Sequence, residues 1–222
     1  MTERPSEIDR TVQVSAIYDA LGRFVVEFSR MVNAMEFSLY FSVGGNQQLF
    51  GAVTAELTAY PLAQAWRSIM AKTADLKEED RKVLSGIHAE IVYLITLRND
   101  WSHGTWFVGY GDVSTTDWSS AALHRLKNSA NGLAAPKDLE TLPTAEYIKA
   151  VASHTAFMVG AIFDFGANVQ LLRDLRTVKR PSDRIRIGKL SGRRRFQMSS
   201  DGTDWRSSEM PVRPAASPPS SS

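Results

Sequence analysis

No cysteine occurs among the 222 residues, so disulfides and cysteine-ligated zinc or iron–sulfur centres are excluded, and an oxidising compartment gains no support. Long apolar runs are scarce too: none approaches the roughly 18 residues that a membrane span requires. The opening residues, MTERPSEIDR, are charged and lack the apolar centre of a secretion signal. A soluble cytoplasmic protein with no membrane partner is therefore the expectation. HExxH, His/Asp groups at ligand spacing and the phosphate-cradling GxxxxGK are all missing. No metal and no cofactor are expected, and nucleoside triphosphate chemistry lacks support. Internal repeats are absent, and strong strand-type alternation is confined to one short hairpin after residue 104.

What is present suits a folded helical chain. Hydrophobic residues make up 43% and aromatics 9%, enough for a real core. The length fits one domain with an extension, or two small domains. The net charge of +2 is unevenly placed: from Arg173 onward there are 12 Lys/Arg against five Asp/Glu, a net of +7 that leaves −5 for residues 1–172. Basic character thus belongs to the C-terminal stretch.

Periodicity lays out the helices. Val14, Ile17, Leu21, Phe24, Phe28, Met31, Met35 and Leu39 step by threes and fours, which predicts either one core helix over 8–42 or two in line with a bend near Gly22. Gly44-Gly45 ends it, and Asn46 can cap a second helix over 46–59 with Leu49, Val53 and Leu57 inward. Tyr60-Pro61 separates this from a third helix, Pro61 to about Ala74, whose buried side is Leu62, Ala65, Trp66 and Ile69 or Met70. Asp75 with Glu78 reads as the capping box of a fourth. After Gly104, Thr105–Val108, the turn residues 109–112 and Val113-Ser114 predict a short hairpin. Asp117 can cap a short helix through Leu126, and Asn128–Pro136 reads as loop. A last core helix is expected over 144–172. Beyond it apolar periodicity fails. Arg184–Ile187 can pair as a short strand, but Arg193-Arg194-Arg195 and the closing AASPPSSS are tail-like. The expected fold is all-α: an antiparallel helical bundle over 8–172 with a short β-hairpin insertion, a flexible N-terminus at 1–7 and a mostly disordered basic tail over 173–222. A basic tail on an acidic domain points to nucleic acid, with Arg193, Arg194 and Arg195 as RNA-binding candidates.

One stretch reads as a site, Leu97–Trp106. The apolar stripe Leu84, Ile87, Ile91, Leu94 reaches Arg98 at its next step, so a guanidinium stands where a leucine is expected. Asn99 and His103 lie four apart and share a helical face. His103 falls in the last turn, with Gly104 as the left-handed terminator. A buried arginine needs a partner for its charge. Glu36, inside the apolar run 31–40, is a candidate: either it faces 98–103 and holds Arg98, or it lies on a polar edge of the first helix. His88 either reaches the same pocket or is a satisfied core histidine. His124 and His154 read as surface or packing residues. Trp101, Trp106, Tyr110 and Trp118 crowd the motif, as base-stacking rings or as the hairpin's own packing.

Arg98-Asn99-Asp100-Trp101-Ser102-His103-Gly104, on a helical domain with Phe28-Ser29…Glu36 upstream and Thr105-Trp106 after, resembles the HEPN superfamily and its motif of Arg, four to six residues, His. The resemblance covers about 8–172. It implies a metal-independent endoribonuclease working at a composite site in a homodimer. The RNA 2′-hydroxyl would attack the adjacent phosphate, leaving a 2′,3′-cyclic phosphate. His103 would be the general acid or base, Arg98 the phosphate clamp, and Asn99 and Glu36 positioning residues. A stand-alone protein of this kind suits a toxin or anti-phage effector, with an antitoxin or defence partner. HEPN-like domains also occur as non-catalytic modules that bind RNA or protein.

Overall fold

The first helix, α1, runs unbroken from Glu7 to Ser42 in the computed structural model, a rod of about 54 Å at 1.5 Å per residue. Gly22 does not interrupt it. The helix ends in a Schellman turn: Gly45 N–H donates to the Tyr40 carbonyl at 2.9 Å and Gly44 N–H to that of Phe41 at 3.0 Å. Both glycines hold positive φ, 74° and 70°, a conformation in which a side chain would be strained. Asn46 then caps α2 (Gln47–Thr54), its Oδ1 accepting from Leu49 N–H at 3.0 Å.

α3 (Ala59–Thr73) begins before Pro61 rather than at it, with Thr58 at the N-cap position. Proline is tolerated in a first turn, where its missing N–H has no helical partner to lose. α4 (Glu78–His103) also starts later than the expected Asp75 cap. Its first turn is closed by Asp80, whose carboxylate accepts from Lys77 N–H at 3.1 Å.

The strands between α4 and the last helix are β1 (Thr105–Val108), β2 (Ala121–Arg125), β3 (Asn128–Ser129), β4 (Gly132–Leu133) and β5 (Lys137–Asp138). β1 stands where the hairpin was expected to begin, but it pairs antiparallel with β2, Thr105 opposite His124 and Val108 opposite Ala121. The stretch anticipated as a short helix to Leu126 therefore contains a strand. Its Ala-Ala-Leu segment has no polar face to give a helix direction, and pairing with the β-prone Trp-Phe-Val satisfies its backbone instead. α5 (Ala145–Leu175) follows, capped by Thr144, whose hydroxyl accepts from Tyr147 N–H at 3.1 Å.

Beyond it, β6 (Ile185–Leu190), β7 (Arg193–Ser200) and β8 (Asp204–Glu209) form an antiparallel meander in the order β6-β7-β8. A mostly disordered tail was expected there. The period-2 placement of Ile185 and Ile187, in register with Met198 and Phe196, supplies the paired apolar positions that favour strands.

The structure describes residues 7–103, 105–108, 121–125, 128–129, 132–133, 137–138, 143–175, 185–190, 193–200 and 204–209. Of the flexible N-terminus expected at 1–7 all but the last residue, the Gly104 cap, the hairpin's turn at 109–112 and its Val113-Ser114, Trp118, most of the 128–136 loop and the closing Pro/Ser run lie outside them. The described chain is mostly helical, as an all-α reading requires.

Two compact units share these elements, one taking residues within 1–25 and 97–152, the other within 26–96 and 153–210. In the first, Ile17, Ala20 and Phe24 of α1, Trp101 of α4 and Ile148, Val151 and Ala152 of α5 are buried. In the second, Met31, Met35 and Leu39, Trp66 and Met70, Ile87, Ile91 and Leu94, and Ile162, Phe165 and Val169 form the core. Leu49, expected inward on α2, is 49% exposed. At eight residues, α2 is too short for its periodicity to decide which face is covered.

α5 carries the one segment among the described residues long and apolar enough to cross a membrane, with a mean hydropathy of 1.3 over its best window. The expectation that no stretch approaches a span therefore needs correction. Half of that window is buried inside the protein, the pattern of a core helix.

Candidate functional site

Arg98, Asn99 and His103 occupy the last two turns of α4, in the first unit. Arg98 and Asn99 are half-buried and His103 is exposed. Among the bonds of Arg98, Nη1 donates to Asn99 Oδ1 at 3.3 Å, so the amide steadies the guanidinium from the adjacent position. The stripe of Leu84, Ile87, Ile91 and Leu94 continues to Trp101, which is 6% exposed, and not to Arg98. The large apolar ring takes the fully covered place and leaves the cation at its margin, where the guanidinium keeps contact with water.

Trp101 fixes this turn. Its ring meets Phe24 edge-on at 4.7 Å, Trp106 at 6.2 Å and Tyr147 at 6.3 Å, distances at which aromatic pairs add to simple burial. Trp106 Nε1 donates to the Trp101 carbonyl, one of the oxygens that a helix end leaves without an intrahelical donor. The indole of β1 thus closes the end of α4. Trp101 and Trp106 act here as packing, not as open stacking platforms. Tyr110 and Trp118, the other rings expected near the motif, are outside the described residues.

The pairing of Glu36 with Arg98 is not among the described contacts. Glu36 is half-buried in the second unit and lines a hollow of about 460 Å³ together with Asn33, Phe37, Tyr40, Gln47 and Phe50. Arg193, Arg194 and Arg195 lie on β7, in register with Leu190, Lys189 and Gly188.

The remaining histidines separate clearly. His88 belongs to the second unit and is 8% exposed, with no hydrogen-bond partner for Nε2 among the described residues. Burial first, and then the charge of Arg67, hold its imidazole below the usual histidine range. His124 sits on β2 between Thr105 and Asp138 in register. His154 is 1% exposed and stacks on Phe157 at 6.4 Å, with Nε2 3.6 Å from Glu90 Oε2. Sequence reasoning passed over Glu90, although its spacing three after Ile87 and four before Leu94 placed it on the core face. No group of three or more His, Asp or Glu able to hold a metal occurs among the described residues.

Comparison with family models, with curated proteins and with solved structures finds no match. The functional reading therefore rests on the residues themselves.

Proposed function

We propose that the end of α4 is one half of a metal-independent endoribonuclease site of the HEPN type, completed by the same turn of a second copy of this chain. The observation that carries the proposal is the placement of Arg98, Asn99 and His103 on one two-turn segment, held by the Trp101 cluster, with the histidine exposed. RNA cleavage by its own 2′-hydroxyl needs two things from a protein. A proton must leave the hydroxyl and another must reach the departing 5′-oxygen, which an imidazole can do near neutrality. Negative charge that builds on the phosphorane must be stabilised, which a fixed guanidinium does through paired N–H donors. In this reading His103 moves the proton, Arg98 clamps the phosphate and Asn99 sets the guanidinium's orientation. Two copies supply two histidines, so one can act as base and the other as acid.

A non-catalytic module that binds RNA or protein is the second reading, and the Arg98–Asn99 bond favours it, because an arginine engaged within its own helix has fewer donors to offer a phosphate. Purified wild-type protein and a His103→Ala variant, incubated with mixed RNA in excess chelator, separate the two. Wild type alone should cut, leaving 2′,3′-cyclic phosphate and 5′-hydroxyl ends, while the variant keeps its melting temperature because His103 is exposed. An absence of cutting by folded, dimeric wild type favours the binding module.

A further inference from the structure

The hollow beside the C-terminal end of α1 is built differently from the motif turn. Phe37, Tyr40 and Phe50 form its apolar surface, and Asn33, Glu36 and Gln47 its polar one. The Tyr40 and Phe50 rings stand at 88° with centroids 5.6 Å apart, so two aromatic walls meet at a corner. The Schellman turn creates that corner. Gly45, with φ at 70°, lies where a Cβ would be 3.5 Å from the Tyr40 hydroxyl, and the reversal brings Phe50 back against Tyr40. Phe37 is 47% exposed. Among the described residues, no hydrogen bond or ion pair engages the Glu36 carboxylate, and no lysine or arginine lines the space.

A half-buried carboxylate with no described counter-charge gains by Coulomb attraction when a cation enters beside it. Aromatic faces carry negative potential and attract cations within about 6 Å, more strongly when water is excluded. Acid and rings therefore ask for the same occupant. An anion would be repelled by Glu36, and a neutral apolar group would leave the acid uncompensated. The volume, about 460 Å³, lies in the range of small-ligand sites.

We propose that this hollow is a binding site for a methylated ammonium group, carried either by a small molecule or by a modified lysine side chain. The charge-bearing methyl groups pack in the Tyr40–Phe50 corner and against Phe37, and Glu36 supplies the counter-charge. The site is independent of the ribonuclease reading and stands or falls separately from it.

Calorimetric titration of the full chain with choline, with its neutral isostere 3,3-dimethylbutan-1-ol, and with a trimethyllysine peptide tests the assignment. Choline, the peptide or both should bind at least tenfold more tightly than the neutral isostere. Glu36→Gln should weaken that binding about tenfold without changing the melting temperature, and Phe50→Leu should weaken it while the protein stays folded. Preference for the peptide assigns the cation to a protein partner, and preference for choline to a small molecule. The proposal is overturned if folded wild type binds neither cation at millimolar concentration, if the neutral isostere binds equally well, or if Glu36→Gln has no effect.

Discussion

At His88 a buried imidazole makes acid stability measurable. Its folded pKa is depressed by burial and by Arg67, so the folded state resists a proton that the unfolded chain accepts near pH 6.5. The stability it contributes is complete above that value and is lost as pH falls through it toward the lower folded pKa. Thermal melts between about pH 7.5 and pH 5 should show the melting temperature falling, and His88→Gln should shallow that fall. Parallel pH profiles for the two proteins would show that other groups control the acid limb. Single residues also show where sequence reading reached its limit. Arg98 was singled out because it interrupts an apolar stripe, and it does occupy the margin of that stripe. The residue that takes the covered position is Trp101, which periodicity alone could not separate from Arg98 because 3.6 residues per turn lets either continue the line. Glu36 stands out in the sequence as an acid in apolar company, but one ring of its hollow, Phe50, comes from α2, which is folded back by a glycine turn. Spacing on one helix carries no information about that neighbour.

Among the elements, the junction of α1 and α2 is the most legible. Asn46 and Gly44-Gly45 act through local hydrogen bonds, and local bonds are written in local sequence; the start of α4, expected at Asp75, is set by Asp80 instead. The β1–β2 pairing was not legible, because it joins segments more than a dozen residues apart and depends on which strand is available. Two helical glycines give a paired test of how elements pack. Gly22 lies mid-helix on α1 with nothing within 4 Å of an added Cβ, so Gly22→Ala should stabilise the protein by about 0.5–1 kcal/mol through helix propensity. Gly166 sits on α5 where a Cβ would run into Ser38 Oγ and come within 3.1 Å of Ser38 Cβ. Gly166→Ala should lose about 1 kcal/mol despite the same propensity gain, and Ser38→Gly in the same chain should restore it. Denaturant midpoints for the four proteins decide the matter, and an equal gain at both glycines would mean that α1 and α5 part easily there. Near the same contact, Gln170 Nε2 donates to Ser42 Oγ at 2.6 Å and Ser42 Oγ to the Ser38 carbonyl at 2.7 Å, polar links that hold the two helices in register.

For the whole molecule, charge asymmetry is the clearest lever. The basic stretch after Arg173 includes β7, whose first three residues are Arg193, Arg194 and Arg195. If this strand meets RNA, Arg193→Ala with Arg195→Ala should flatten the slope of log affinity against log salt by about 1.4, taking ~0.7 per phosphate contact. Arg194→Ala alone should change it less, and unchanged slopes in filter binding would make the strand a bystander. The second unit also has a consequence in time. Trp66 of α3 and Phe165 of α5 meet in its core with ring centroids 6.0 Å apart, yet about a hundred residues separate them in the chain. At roughly 5–20 residues per second a ribosome needs on the order of 5–20 seconds to make that interval. Until α5 is made, the faces of α1, α3 and α4 that await it stay uncovered on the nascent chain as each is completed. Translation speed and chaperone supply thus enter the yield of this protein, and a pause before codon 145 lengthens the exposure that only the last helix can end.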